Sequence, residues 1–570
     1  MKSLMLFVLL SGLATNQAFA QTPNDIVSSY FQEINQPSAV ATGALPKAAI
    51  KPKPSRELTP MLMFAKANWD TLSEQTQATV SPFFFRPTDT GATPPISSIT
   101  LFTQAEESVH SSLYFKFHYV TTGANAATLA FVQQLATEAD NVWTTEIGNM
   151  GYTAPPSDGA LGGDNKYDIY LLDVGSASIY GYVTSDATAS AGIYPNGAYS
   201  YMVLDNDFTV QQFGYANPIT PARVTLAHEF FHSIQFGYDS AELPAFSESS
   251  ATWMEDKVYP TIKDNLQYIG EPFVDVNGDG QYNQGESFTD RNGNGKRESG
   301  SQDYPELHLD SFGLTPSTLE QYGRFMWIRY LSDKHGDALI KNILTNTGQV
   351  SGNNTYAAID AALQAAPYNT TLATAFHEFG TWNIDVSKYQ NGADYPIAWG
   401  DRLFNNGAIN ISSDATQSLR NFSGKQKHLS TIYELVNSPN ATYTFTSTGS
   451  VQLSAMTQSV VGGAYTVQAI PLTTGQGSWA APVGTTKVTF VISNTSATDD
   501  SMTWRLTDGV TAPLAPLTPT TATDATTLSD SATTILSSTS SAGGCLSSVV
   551  SPYLLGWLSL LLIPILRRKK

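Results

Sequence analysis

The run Leu226-Ala227-His228-Glu229-Phe230-Phe231-His232-Ser233 carries the most specific chemistry in the chain, an HExxH pattern. Residues four apart on a helix share a face, about one turn apart along the axis. His228 and His232 can therefore each offer a ring nitrogen to one Zn²⁺, which binds imidazole at about 2.0–2.1 Å. Glu229 follows the first of these ligands, and that puts a carboxylate beside the metal and a metal-bound water. The metal lowers the pKa of such a water and the carboxylate takes its proton. The expected chemistry is hydrolysis at a catalytic zinc ion.

A helix must present these residues. Thr220-Pro221 offers a cap followed by proline at the first helical position, Val224, Ala227, Phe231 and Ile234 recur at helical spacing, and Gly237 is a stop. Two histidines and a glutamate on a partly buried apolar helix are costly without a partner, which favours a metal over ordinary surface histidines. Catalytic zinc takes three protein ligands and leaves one position open. A metzincin would place Gly at 235 and His at 238; Gln235 and Tyr238 stand there, so that class is excluded. The acids Asp239, Glu242, Glu248 and Glu255 remain. Residues 245–256 read as a second helix, stopped before Pro260. If it runs antiparallel to the first, Glu248 near its start returns to the histidines and is the favoured third ligand. Glu255, seven residues on and on the same face, suits an outer role, holding a ligand or a histidine N–H.

The HExxH run followed by Ser247-Glu248-Ser249-Ser250-Ala251-Thr252-Trp253-Met254-Glu255 resembles the gluzincins, in which a second helix reading like Asn-Glu-Gly-x-Ala supplies a glutamate ligand. The resemblance implies Glu248 as that ligand; Ser249 departs from the glycine that usually follows it. Lys166–Leu171, Tyr180-Gly181-Tyr182, Val203–Phe208, Gln235–Asp239, Trp253–Asp256 and Tyr322-Gly323 further resemble a family of secreted bacterial metalloproteases of myxobacterial type, over about residues 105–425. What this implies is an endopeptidase acting on proteins or peptides. Gluzincins use a downstream Tyr or His to stabilise the oxyanion of the tetrahedral intermediate. Tyr322, opening a helix-like stretch at 322–331, is the candidate, with His308 and His335 as alternatives. His377-Glu378 lacks a second histidine four residues on and reads as structural.

A calcium pattern follows. Asp275, Asn277, Asp279, Gln281 (through its carbonyl), Asn283 and Glu286 fall at positions 1, 3, 5, 7, 9 and 12 of an EF-hand-like loop. A second turn carries Asp290, Asn292 and Asn294. No helices flank these loops, so residues 271–300 read as an insertion braced by structural Ca²⁺.

Residues 1–20 have a short basic start, an apolar stretch and an Ala18-Phe19-Ala20 site, the form of a secretory signal peptide cleaved after Ala20. Residues 21–105 are Pro- and Ala-rich and read as an N-terminal structural segment or a propeptide. Residues 106–425 are the expected metallopeptidase domain: Ser111–Val120, Tyr167–Leu172 and Tyr201–Leu204 read as strands and Ala126–Gly148 as a helix. Strands preceding an active-site helix make the fold class α+β, with a zincin-like domain. Alternating segments over 435–510 read as a small all-β sandwich, and 511–542 as a Ser/Thr/Pro-rich linker. Gly543-Gly544-Cys545, the apolar run Leu546–Leu566 and the basic end Arg567–Lys570 resemble the Gly-Gly or Gly-Gly-Cys sorting signals cut by intramembrane proteases, with a permanent membrane anchor as the alternative.

The 570 residues suffice for two or three domains; 49 acids against 30 bases give a net charge of −19, which argues against nucleic acid and anionic membrane surfaces as partners. The single cysteine allows no internal disulfide. The combined expectation is an exported, cell-surface or secreted zinc endopeptidase. The rival is a calcium-dependent surface adhesion or binding protein with a relic zinc site.

Overall fold

The computed structural model describes residues 22–34, 58–186, 192–269, 285–288, 309–310, 320–350, 354–395, 419–437, 439, 442–459 and 464–507. These form a mixed α+β molecule.

Its first part is built on five strands: β1 (Ser108–Ser111), β2 (Phe115–Tyr119), β3 (Tyr167–Leu172), β4 (Gly181–Thr184) and β5 (Tyr201–Asp205). Their order across the sheet is β1-β2-β3-β5-β4. The three central strands are parallel and both edge strands antiparallel. The stretch expected as one strand over Ser111–Val120 is instead the second half of a hairpin, because a turn at Ser112–Phe115 leaves Leu113 in solvent. Successive strand residues point to opposite faces. Ile169 and Leu171 of β3 enter one core and Tyr170 and Leu172 another, so this strand is buried on both sides.

Helices cover both faces. The face bearing Phe115, Phe117, Ile169, Leu171 and Met202 packs on α4 (Leu129–Trp143), capped by Thr128, and on the later helices. The opposite face, with Tyr170, Leu172, Tyr182, Tyr201 and Val203, is covered by the N-terminal segment, which folds as α1 (Pro23–Ile34), α2 (Leu58–Ala67) and α3 (Glu74–Val80). Ionic contacts anchor the same segment. Arg86 lies 2 % exposed against Asp158 (2.6 Å), Asp168 and Asp186, and Asp168 also meets His118. Burial opposes the charge on Arg86, but these carboxylates and Tyr170 overcome it and raise its pKa.

After a four-residue helix, α5 (Val210–Phe213), the chain enters α6 (Ile219–Tyr238) and α7 (Pro244–Val258). Helix α6 starts one residue ahead of Thr220: the Asn217 side chain accepts from Ile219 N–H, and Thr220 lies inside the helix. Gly237 is helical too and does not end it; a Cβ there would come within 2.9 Å of Pro156, so the residue permits a close approach. Helix α7 starts with proline in its first turn. Then come α8 (Glu320–Gly323), α9 (Phe325–His335), α10 (Ala338–Gly348), α11 (Thr355–Gln364) and α12 (Leu372–Trp382), so the stretch 322–331 is split at Arg324.

The second part holds eight strands: β6 (Leu419–Gln426), β7 (Ser430–Asn437), β8 (Thr442–Ser447), β9 (Val451–Gln458), β10 (Thr466–Ala469), β11 (Gln476–Ala480), β12 (Lys487–Asn494) and β13 (Met502–Thr507). They form two antiparallel four-stranded sheets, β10-β9-β12-β7 and β11-β8-β13-β6. Phe445, Trp479 and Trp504 of one sheet share a core with Leu453, Phe490 and Ile492 of the other, the packing of a sandwich. Strand β6 precedes residue 435 and, among the described residues, pairs only with β13. As a polar edge strand it shows little alternation, which hides it in the sequence. Against the β9–β12 sheet lies α12, whose His377 bridges Ser454 and Ser493. Burial pushes that imidazole down to about 4, a neutral structural histidine. Among the described residues no helix is long and apolar enough to cross a membrane.

Candidate metal centre

Helices α6 and α7 lie side by side and bring together His228, His232 and Glu248. Among the described residues this is the one group of three or more His, Cys, Asp or Glu side chains whose ligand atoms converge. His228 Nε2 and His232 Nε2 are 3.0 Å apart, His232 Nε2 is 3.0 Å from Glu248 Oε1, and His228 Nε2 is 3.3 Å from Glu248 Oε2. A tetrahedral ion with bonds of about 2.0–2.1 Å separates its ligand atoms by about 3.3 Å. At 3.0–3.3 Å the three donors stand close enough together to share one metal ion.

The outer contacts fix which way each ring faces. His228 Nδ1 is 2.8 Å from Glu255 Oε1, and His232 Nδ1 is 2.7 Å from Gln235 Oε1. The Nδ1–H donates in both cases, so both Nε2 lone pairs aim at the common point. Gln235 is itself held, its amide nitrogen donating to Ser247 O and Ser250 Oγ. Two lone pairs and a carboxylate facing one another repel unless a cation lies between them, so the donor set fits a metal. The carboxylates around the rings favour positive charge at this point. Burial opposes charge on His228, but Glu248 and Glu255 overcome it and push the ring up to about 10. Burial raises the Glu248 carboxyl, yet the two imidazoles hold it down to about 2.

Glu229 projects beside this cluster. Burial raises its pKa, and the two histidines and Thr59 partly offset that. His228 and Glu229 are each 2 % exposed, His232 and Glu248 0 %. Tyr322 of α8 is fully buried, its ring 5.9 Å from that of His228 and stacked on Tyr268 at 4.9 Å. Ser249 is an ordinary interior residue of α7, its hydroxyl donating to Phe246 O.

Other sequence candidates lie elsewhere. Asp239 accepts from Ala241 N–H, and Glu242 from Leu243 N–H and Thr355, away from the convergent group. His335 ends α9 against Tyr330 and Tyr368. Of the calcium ligands only Glu286 is among the described residues, part-buried in a loop; Asp275, Asn277, Asp279, Gln281, Asn283, Asp290, Asn292 and Asn294 lie outside them. So do Ala20, His308, Gly543, Gly544 and Cys545.

Gln235 and Thr59 escaped the sequence reading. Gln235 sits three residues past His232, a spacing that could have revealed it. Thr59 lies 170 residues before Glu229 and gives no local signal. No protein-family model, curated protein or solved structure matches this chain.

Proposed function

We propose that the protein is a zinc-dependent endopeptidase of gluzincin type, with a zincin-like domain over residues 106–425 that cleaves protein or peptide substrates. The observation that carries this reading is the convergence of His228 Nε2, His232 Nε2 and Glu248 at 3.0–3.3 Å with Glu229 beside them. His228, His232 and Glu248 would hold the ion, and Glu255 and Gln235 would lock the two rings. Bound zinc supplies an acidified water and a polarised substrate carbonyl. Glu229 takes the proton from the attacking water and returns it to the leaving amine. Tyr322, on the His228 side of the cluster, is the proposed oxyanion donor. The sequence further supports export, a Ca²⁺-braced insertion at 271–300, and delivery to the cell surface by a tail processed at Gly543-Gly544-Cys545 or kept as an anchor.

The near-complete burial of all four central residues favours a second reading, a closed metal site in a surface adhesion or binding protein. The Glu229→Gln variant separates the two. An endopeptidase keeps its zinc and loses casein cleavage. Cleavage at the wild-type rate in that variant, or none in zinc-loaded wild type, refutes the peptidase reading.

A further inference from the structure

Helix α2 comes from the segment that the sequence leaves as structural or disposable, yet it reaches the metal centre. Thr59 is fully buried. Its hydroxyl accepts a hydrogen bond from the backbone N–H of Val183 at 2.8 Å, on edge strand β4. It also lies 3.1 Å from Glu229 Oε2. A hydroxyl has one proton. With Val183 donating to the oxygen, that proton is aimed at Glu229 Oε2. Among the described residues this is the one hydrogen bond that the Glu229 carboxylate makes.

We propose that Thr59 is a positioning residue for Glu229: its hydroxyl anchors Oε2 and leaves Oε1 to take the proton from the attacking water. The part of Oε1 in activating water rests on the peptidase reading, but the anchoring of Oε2 does not. It also makes the N-terminal segment part of the working enzyme. Leu58, Met61, Leu62 and Ala65 of α2 share one core with Tyr170, Tyr182 and Tyr201 of the sheet, and Arg86 of the same segment is locked to Asp158 and Asp168. Removing residues 21–105 would bare that face of the sheet and take the Arg86 guanidinium away from Asp158 and Asp168. A carboxylate held by one oxygen loses less freedom at the moment of proton transfer than one that must first find its orientation.

The test compares Thr59→Val, which keeps the shape and removes the hydroxyl, with Thr59→Ser, which keeps it. Both are made in the full chain and loaded with one equivalent of Zn²⁺. Thr59→Val is expected to lower kcat about 10–100-fold with KM within twofold and zinc stoichiometry unchanged, and Thr59→Ser to recover to within about threefold of wild type. A crystal structure of each zinc-loaded form gives a readout independent of turnover. Glu229 should keep one orientation in wild type and Thr59→Ser, and occupy several in Thr59→Val. Undiminished kcat in Thr59→Val overturns the proposal, as does an unmoved Glu229, and raised kcat would make Thr59 a blocking residue. If zinc-loaded wild type cleaves no peptide, the peptidase reading fails, and the orientation of Glu229 still decides the role of Thr59. A fall in thermal stability without a fall in kcat marks a merely structural threonine.

Discussion

The contact between Glu255 and His228 makes a claim about metal affinity that can be worked from its geometry. Glu255 Oε1 is 2.8 Å from His228 Nδ1, and both side chains are buried. The carboxylate selects the tautomer, fixes the ring plane and raises the basicity of Nε2. Loss of such an outer partner costs about 10–100-fold in metal affinity, or about 1.4–2.7 kcal/mol. Two substitutions divide that range. Glu255→Gln keeps an oxygen acceptor of the same reach and loses the charge. His232 already uses a neutral amide in this way, through Gln235 at 2.7 Å, so Gln is a competent partner in this site. It should weaken zinc about tenfold. Glu255→Ala loses both contact and charge and should approach a hundredfold. Competition against a fluorescent zinc chelator at pH 7 measures the dissociation constants, with circular dichroism establishing that each variant is folded. Wild-type zinc affinity in folded Glu255→Ala would refute the argument that the outer contact tunes the ligand.

Three further outcomes follow from the structure. Glu229→Gln should bind one zinc per chain and lose at least a hundredfold in casein turnover, since the amide cannot take the proton; metal analysis and initial rates check it. Arg86→Met leaves Asp158 and Asp168 without the guanidinium between them, Asp168 keeping only His118, and should cost about 3–5 kcal/mol in urea unfolding. His428 lies between Asp310 (3.0 Å) and Asp500 (2.7 Å). Burial works against its charge, but the two carboxylates push it up to about 10. A raised histidine stabilises the fold fully below its unfolded value of about 6.5 and loses that contribution as pH climbs towards about 10. The stability gap between wild type and His428→Gln should therefore shrink by about 2–4 kcal/mol from pH 6 to pH 10, and a gap independent of pH would contradict the pairing.

What the sequence could and could not disclose follows the range of each interaction. The spacing of His228 and His232 is local, and so is the stop before Pro260 that ends the second helix, so both elements were legible. The turn joining α6 to α7 is short enough that the reversal carrying Glu248 back to the histidines could be inferred. Glu255 could be named but not placed, because the same spacing describes a solvated helix face; its burial against His228 is tertiary information. The N-terminal helices were missed because the stretch that holds them is Pro- and Ala-rich, with Pro60 inside α2, while their apolar residues acquire meaning only against the far face of the sheet. Strand β4 is four residues long and begins at Gly181, where a Cβ would meet Leu204 at 2.7 Å, so it carries little strand signal of its own. Thr59 is the extreme case: its role depends on a backbone N–H of β4 and a carboxylate 170 residues away in sequence.

Metal analysis joined to a cleavage assay on one preparation tests the central claim most directly. Protein expressed without its C-terminal tail, dialysed and analysed by mass spectrometry for metals, should carry one zinc per chain and cleave casein; 1,10-phenanthroline should abolish cleavage and added zinc restore it. Protein that takes up no zinc at His228, His232 and Glu248, or that holds zinc and cleaves nothing, would contradict the account.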